Sequence, residues 1–405
     1  MDNKPLSKVR VLEVGAYISA PYAGALLQAL GAEVIKVESP EGDAFRRGAG
    51  VDSDYFTQYN AGKKSISINL KSAEGIALIK DLLPQFDVLI ENMRPGKMDA
   101  LGLSAEDCQK INTRLIYASI SGFGRNGPLV DRPAYDTMGQ SYGGIYSIMN
   151  DEGSARLTGT CVGDLITGVS AAMGVLAALL GREHSTTNQG MRVETSLLEA
   201  MSLLTVDSIT QALETKSNPI RTSRHSQAQN FCFNTQSGGA ITVHLSSSEK
   251  FWRSLANAIG RNDLLEDARF SHYSTRSTPS NFALLNEILA HEFLRHSREE
   301  WEVRLTESDV PFAPVLTMHE VINHPQTKSL DLLETEPGGR CLVRPPWRFN
   351  EHRPTRADAP PHIGQDTLAV LSEIRTQDQL NALLASGTVR NHVSPSMAAV
   401  EGYAS

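Results

Sequence analysis

Cysteine is scarce: the 405-residue chain holds four, Cys108, Cys161, Cys232 and Cys341. No two stand at a metal-site or redox-motif spacing, which excludes a small disulfide scaffold and leads us to expect a reduced, cytoplasmic protein. Positive charge is also short, with 38 Lys and Arg against 46 Asp and Glu and a net charge of −8. That balance lacks the electrostatic footprint of a general nucleic-acid binder; any anionic ligand must be held by a few placed cations and helix N-termini. The N-terminal MDNKPLSKVRVLEVG has no apolar run of the targeting kind before its first strand-like stretch. A single uncharged stretch, residues 165–181, approaches bilayer length, bracketed by Asp164 and Arg182. Rich in Gly, Ala and Ser, it is expected to be a buried helix that neighbours approach closely.

What is present is ordinary globular composition, 40% apolar and 21% charged. At roughly 100–200 residues per domain, this length suggests two or three units, or one large wrapped domain with an insertion. Strand-like runs at residues 9–14, 33–38, 65–70, 87–90 and 115–120 alternate with helical stretches. That pattern predicts βαβ units and a parallel sheet, whose ligands sit beyond the carboxyl ends of the strands. A strand at 192–195 and a helix over 196–214 follow. Residues 216–230 are polar and are expected to be a linker; 231–245 predict a hairpin turning at QSGG. The expected organisation is therefore 1–225 as the first part of a large domain, 226–328 as a smaller α/β domain, and 329–405 as a C-terminal segment.

The familiar nucleotide and hydrolase signatures are missing. GAYISAPYAG after the first strand lacks the G-x-G-x-x-G spacing, and no P-loop, G-x-S-x-G elbow or H-E-x-x-H occurs. His291 and His296 stand five apart, which does not aim both at one metal; no metal site is expected.

Five loop motifs remain. Residues 15–24 run into a helix with Pro21 near its start: an ordinary βα turn or a ligand loop. Asn69-Leu70-Lys71-Ser72 ends a strand and starts a helix, as a plain cap or as an anion cradle with Lys71 adding positive field. Asn92-Met93-Arg94-Pro95-Gly96-Lys97 again follows a strand, with two cations and an amide. Ser121-Gly122-Phe123-Gly124 is followed by Arg132-Pro133-Ala134-Tyr135-Asp136. Finally, Gly163-Asp164 opens the uncharged helix. Asp164 there is either an N-cap, worth about 1 kcal/mol, or a nucleophile. Gly163 permits close approach by a ligand, and helix-terminal amides favour an ionised carboxylate.

In this order and spacing the motifs resemble the family III CoA-transferases (CaiB/BaiF), which include formyl-CoA:oxalate and carnitine CoA-transferases and the related α-methylacyl-CoA racemases. The resemblance spans residues 9–374. Its strongest pieces are LGAEVIKVESPEGD (30–43), NAGKKSISINLKSAEG (60–75), DVLIENMRPG (87–96), SISGFGRNGP (119–128), AYD (134–136) and VGDLITG (162–168). It implies a Rossmann-like, parallel-sheet large domain completed by the C-terminal segment, a smaller α/β domain, and an interlocked homodimer. It also implies Asp164 as the catalytic aspartate. CoA contacts are implied at Ile18, Ser19, Asn69, Leu70, Lys71, Asn92, Met93, Arg94, Tyr135 and Asp136. CoA and acyl-CoA are substrates in such an enzyme, with no tightly bound cofactor.

Two departures stand out. Formyl-CoA transferases carry basic residues near the positions of Ser39 and Ala100, so Lys97, Arg94 or Arg46 is expected to meet the CoA phosphates. The oxalate-type glycine run is replaced by RHSQAQNFCF at 224–233. The expected reaction moves CoA from an acyl-CoA to a carboxylic acid through anhydride and aspartyl-CoA intermediates on Asp164. The alternative is a racemase, whose branch uses a histidine where this chain has Tyr135; a silent CoA-binding protein is the third reading. An unperturbed phenol, with a pKa of about 10, is a poor base near neutrality.

Overall fold

The computed structural model describes residues 4–46, 53–151, 153–236, 238–356 and 358–392. They form two compact units: Met1–Tyr146 with Arg156–Ile209 and Lys328–Ser405, and Ser147–Ala155 with Thr210–Thr327.

The first unit is built on a seven-stranded sheet. Its strands are β1 (Arg10–Val14), β2 (Glu33–Glu38), β3 (Lys64–Ile68), β4 (Val88–Glu91), β5 (Ile116–Ser121), β6 (Arg192–Ser196) and, from the C-terminal segment, a short edge strand, Val389–Arg390. Starting from that edge strand, the order is β3-β2-β1-β4-β5-β6. All pairs are parallel except the edge strand, which is antiparallel to β3. The strands have apolar residues on both faces, because helices cover both. Alternate side chains divide between two cores: Val11, Val34, Val88 and Ile90 enter one, and Leu12, Val14, Ile35, Val37 and Leu89 the other. The first core is closed by the Ser19–Ala29 and Val162–His184 helices, the second by Ala73–Leu82 and helices of the C-terminal segment.

The C-terminal segment is tied to β3 by polar bonds. Asp366 Oδ2 accepts the Ser65 N–H at 2.9 Å, and Thr367 Oγ1 accepts the Ser67 N–H at 3.0 Å. Residues 393–405 of the expected segment lie outside the described residues. Val162–His184 is the one helix among the described residues long and apolar enough to cross a membrane. Here Ala171, Ala172, Val175 and Ala178 are buried in the core of the first unit.

In the second unit, β7 (Asn230–Asn234) and β8 (Ala240–His244) form the expected hairpin, and β9 (Phe312–Pro314) pairs antiparallel with β8. Phe231, Phe233, Trp252, Phe293 and Trp301 fill its core. The polar run expected as a linker belongs to this unit and carries a short helix, His225–Ala228.

Candidate active site

Strand order reverses between β1 and β4, since the chain builds β2 and β3 on one side and β5 and β6 on the other. A crevice opens at such a reversal, beyond the carboxyl ends of the strands. The loop after β1 therefore lies beside the loop after β4. Asn92 ties them: its Oδ1 accepts the Ala16 N–H at 3.1 Å, and its Nδ2 donates to Ala16 O at 2.9 Å and to Ser19 Oγ at 3.2 Å.

Two cavities open at this seam. One, of about 200 Å³, holds Asp164 together with Ser19, Arg94 and Tyr135. The other, of about 670 Å³, is lined by Asn69, Leu70, Lys71 and Lys97. Tyr17, Asn92 and Met93 line both. Two expected contacts line neither. Ile18 is 6% exposed, its side chain in the core, and its carbonyl accepts the Tyr22 N–H. Asp136 lies beneath Asp164 and serves that residue instead.

Asp164 sits in the first turn of Val162–His184, whose cap position is Cys161 with no side-chain cap bond. The Asp164 N–H is donated to Asp136 Oδ1 at 3.1 Å, and Gln140 Nε2 donates to Asp136 Oδ2 at 2.6 Å. Burial, and then the charge of Asp136, push the Asp164 carboxyl up from its ordinary 3.8 to about 7. Two expectations are corrected here. Asp164 is not the cap, and burial together with the charge of Asp136 outweighs any pull of the helix amides toward its ionised form. Gly163 makes room for a side chain rather than a ligand: a Cβ there would stand 3.1 Å from Asp136 Oδ1 and 3.0 Å from its carbonyl oxygen.

The motif at 69–72 forms the cap and lines a cavity. Ser72 Oγ caps the Ala73–Leu82 helix, accepting the Gly75 N–H at 3.0 Å, and Asn69 Oδ1 accepts the Lys71 N–H at 3.0 Å. The exposed Lys71 and Lys97 then face the larger cavity. Arg46 does not serve there, contrary to expectation. It is 8% exposed, grips Glu38 at 2.8 and 2.9 Å, donates to Pro361 O, and lies over the Phe56 ring. Ser39 lines this cavity; Ala100 does not.

Residue-type reasoning missed Tyr17 and Glu91. Tyr17 adopts φ +65°, an uncommon conformation for a non-glycine residue, and its ring meets Tyr135 and Phe45 edge-on at 5.9 Å each. The sequence signal was an aromatic among small residues in GAYISAP. Glu91 is buried at the end of β4, accepts the Met93 N–H at 2.8 Å and bonds Ser119 Oγ; burial above all raises it to about 7. Among the described residues, no three His, Cys, Asp or Glu side chains are grouped to hold a metal ion.

The family model described as CoA-transferase family III matches residues 6–367. Human succinyl-CoA:glutarate CoA-transferase is 30% identical over 96% of this chain and 91% of its own length. Escherichia coli formyl-CoA:oxalate CoA-transferase is 32% identical over 92% and 96%. The succinyl-CoA–D-citramalate CoA-transferase of Chloroflexus aurantiacus is 33% identical over 80% and 81%. Among solved structures, a CaiB/BaiF family protein from Brucella suis superposes with a TM-score of 0.82 at 29% identity, covering 92% of this chain and 100% of that one. With a parallel sheet, a crevice at its reversal point and this match over nearly its whole length, the chain belongs to CoA-transferase family III.

Proposed function

We propose that this enzyme moves CoA from an acyl-CoA to a carboxylic acid acceptor through covalent intermediates on Asp164, with CoA held along the larger cavity. The observation that carries the reading is Asp164 itself: a carboxylate in a small cavity that shares Tyr17, Asn92 and Met93 with the larger one.

The Asp164 carboxylate attacks the donor thioester carbonyl, forming an aspartyl–acyl anhydride and expelling CoA thiolate. The thiolate attacks the aspartyl carbonyl, giving aspartyl-CoA and releasing the donor acid. The acceptor carboxylate then attacks that thioester, forming a second anhydride and freeing the thiolate again. Attack on the acceptor's acyl carbon gives the new acyl-CoA and restores Asp164. A carboxyl near pKa 7 is a better nucleophile once ionised than one near 4, and it is ionised above neutrality. Oxyanion donors must come from amides other than that of Asp164, which Asp136 occupies.

Ser19, Asn92, Met93, Arg94 and Tyr135 would frame the thioester end of CoA, and Asn69, Leu70, Lys71 and Lys97 its remainder. Arg94 and Arg132 line the cavity of Asp164 and suit a small anionic acid. The named relatives pair succinyl-CoA with glutarate, succinyl-CoA with D-citramalate, and formyl-CoA with oxalate. Tyr135 at the racemase histidine position favours transfer over racemisation. A homodimer fits the exposed Met173 and Leu180 on the Val162–His184 helix and Leu203, Leu204 and Val206 on the Leu197–Thr215 helix, which a second chain would cover. A cytoplasmic location fits substrates of this class.

Purified protein with succinyl-CoA and a panel of mono- and dicarboxylates tests the reading. New acyl-CoA formation that disappears in Asp164→Ala is expected; transfer at the wild-type rate in that variant would refute it.

A further inference from the structure

Six ionisable side chains are buried together around the second halves of β1 and β2 and the start of β3: Glu13, Lys36, Glu38, Asp43, Arg46 and Lys63, none more than 8% exposed. Three carboxylates meet three cations. Buried ion pairs of this kind are a poor route to stability, since desolvation consumes most of the Coulombic gain. Their geometry suggests another use.

Glu13 divides its two oxygens. Oε1 takes Lys36 Nζ at 3.2 Å, and Oε2 takes Lys63 Nζ at 2.7 Å. Each ammonium then reaches a backbone carbonyl beyond β1, one in the loop that follows the strand and one in the first turn of the Ser19–Ala29 helix. Lys36 donates to Gly15 O at 2.7 Å, and Lys63 to Pro21 O at 2.8 Å. Those carbonyls stand at the two ends of residues 15–21. Between them Asn92 holds both backbone groups of Ala16 and the hydroxyl of Ser19. Tyr17, the shared wall of both cavities, lies inside this span at positive φ. A residue in such a conformation persists only where its surroundings over-determine it. The fit around Glu13 is tight, because a Cβ on Gly24 would come within 2.1 Å of its Oε2.

We propose that Glu13 is a positioning residue for CoA transfer: through Lys36 and Lys63 it holds the carbonyls of Gly15 and Pro21, and so fixes the Tyr17 loop against both cavities. Its link to catalysis rests on the assignment of those cavities to CoA and Asp164. Glu13 touches no reacting atom in this scheme; it acts through two ammonium groups and a loop.

Glu13→Gln alone leaves three cations against two carboxylates and is prone to unfold. Glu13→Gln with Lys63→Gln leaves two against two, and is the variant to compare with wild type. Arg182→Met is the control, removing a buried ion pair (Arg182 Nη2 to Asp87 Oδ1, 2.8 Å) at the opposite end of the sheet. Thermal melting, hydrogen exchange, CoA titration and transfer from succinyl-CoA are measured on all three. The double variant is expected to melt cooperatively while the amides of residues 15–20 exchange about tenfold faster. Its CoA dissociation constant should rise about tenfold and kcat/KM for the acyl-CoA fall about a hundredfold. Arg182→Met should lower the melting temperature and leave loop exchange and CoA affinity within about twofold of wild type. Unchanged exchange at residues 15–20, or unchanged CoA affinity, in the double variant would overturn the proposal. Failure of wild type to bind CoA would instead refute the functional reading, and the exchange data would still decide whether Glu13 positions the loop.

Discussion

Asp136 accepts the backbone N–H of Asp164 through Oδ1 at 3.1 Å, and its charge also raises the pKa of the carboxyl that this amide belongs to. One side chain thus anchors the start of the Val162–His184 helix and makes its neighbour a more basic carboxylate. The two roles separate by mutation. Asp136→Asn keeps an oxygen for the Asp164 N–H and removes the charge. The acid limb of kcat/KM for acyl-CoA, set by ionisation of Asp164 near pH 7, is expected to move to lower pH. Asp136→Ala loses the bond as well and should cut kcat/KM by about tenfold or more. Identical pH profiles in wild type and Asp136→Asn would contradict this.

Asp164 is also expected to cost the fold stability. Its folded pKa, about 7, lies above the ordinary 3.8, so between those values the native state binds more protons than the unfolded state. Its contribution is therefore lost as pH rises from about 4 to about 7, and the cost is complete above that window. Asp164→Asn does not titrate. Thermal melts should show it more stable than wild type at pH 8, with the difference shrinking toward pH 4.

Asn92 joins the loops after β1 and β4 through three hydrogen bonds. Asn92→Ala strands the Ala16 N–H and C=O in a partly buried seam and should cost about 1–3 kcal/mol in denaturant melts. Because those loops carry Tyr17, Ser19 and Met93, KM for acyl-CoA should rise more than KM for the acid. Equal effects on both would argue against the seam as the CoA site.

Lys71 and Lys97 are exposed beside the larger cavity, whereas Arg46 is buried on Glu38. Lys71→Met and Lys97→Met should each weaken CoA binding by several fold, about 1 kcal/mol, with little change in melting temperature. Arg46→Met should destabilise by about 3–5 kcal/mol, because it strands a buried carboxylate. Titration calorimetry and melts on the three variants separate these outcomes.

Local sequence carried much of the architecture. The β-branched runs predict the strands that form β1 to β6 within a residue or two, because strands covered on both faces must be apolar. Ser72 is legible as a cap because capping is local. The site was legible as a set of loops and less so as a set of roles. Asn92 meets Ala16 across 76 positions and Asp136 meets Asp164 across 28, and no spacing rule announces either bond. Gly163 reads as a point of ligand approach because its contact with Asp136 is not visible in local sequence. Arg46 stands among three candidate phosphate partners in the sequence because nothing local shows that Glu38 captures it. Tyr17 is not legible because its positive φ and its place between two cavities are set by tertiary contacts rather than by residue type.

The proposed transfer depends on a covalent bond to Asp164. Wild-type protein incubated with succinyl-CoA, quenched with hydroxylamine and digested, reveals that bond by peptide mass spectrometry. A hydroxamate is expected at Asp164, absent without acyl-CoA and absent in Asp164→Ala, which should also lose transfer. An unmodified Asp164 peptide from a preparation that turns over, with transfer persisting in Asp164→Ala, would contradict it.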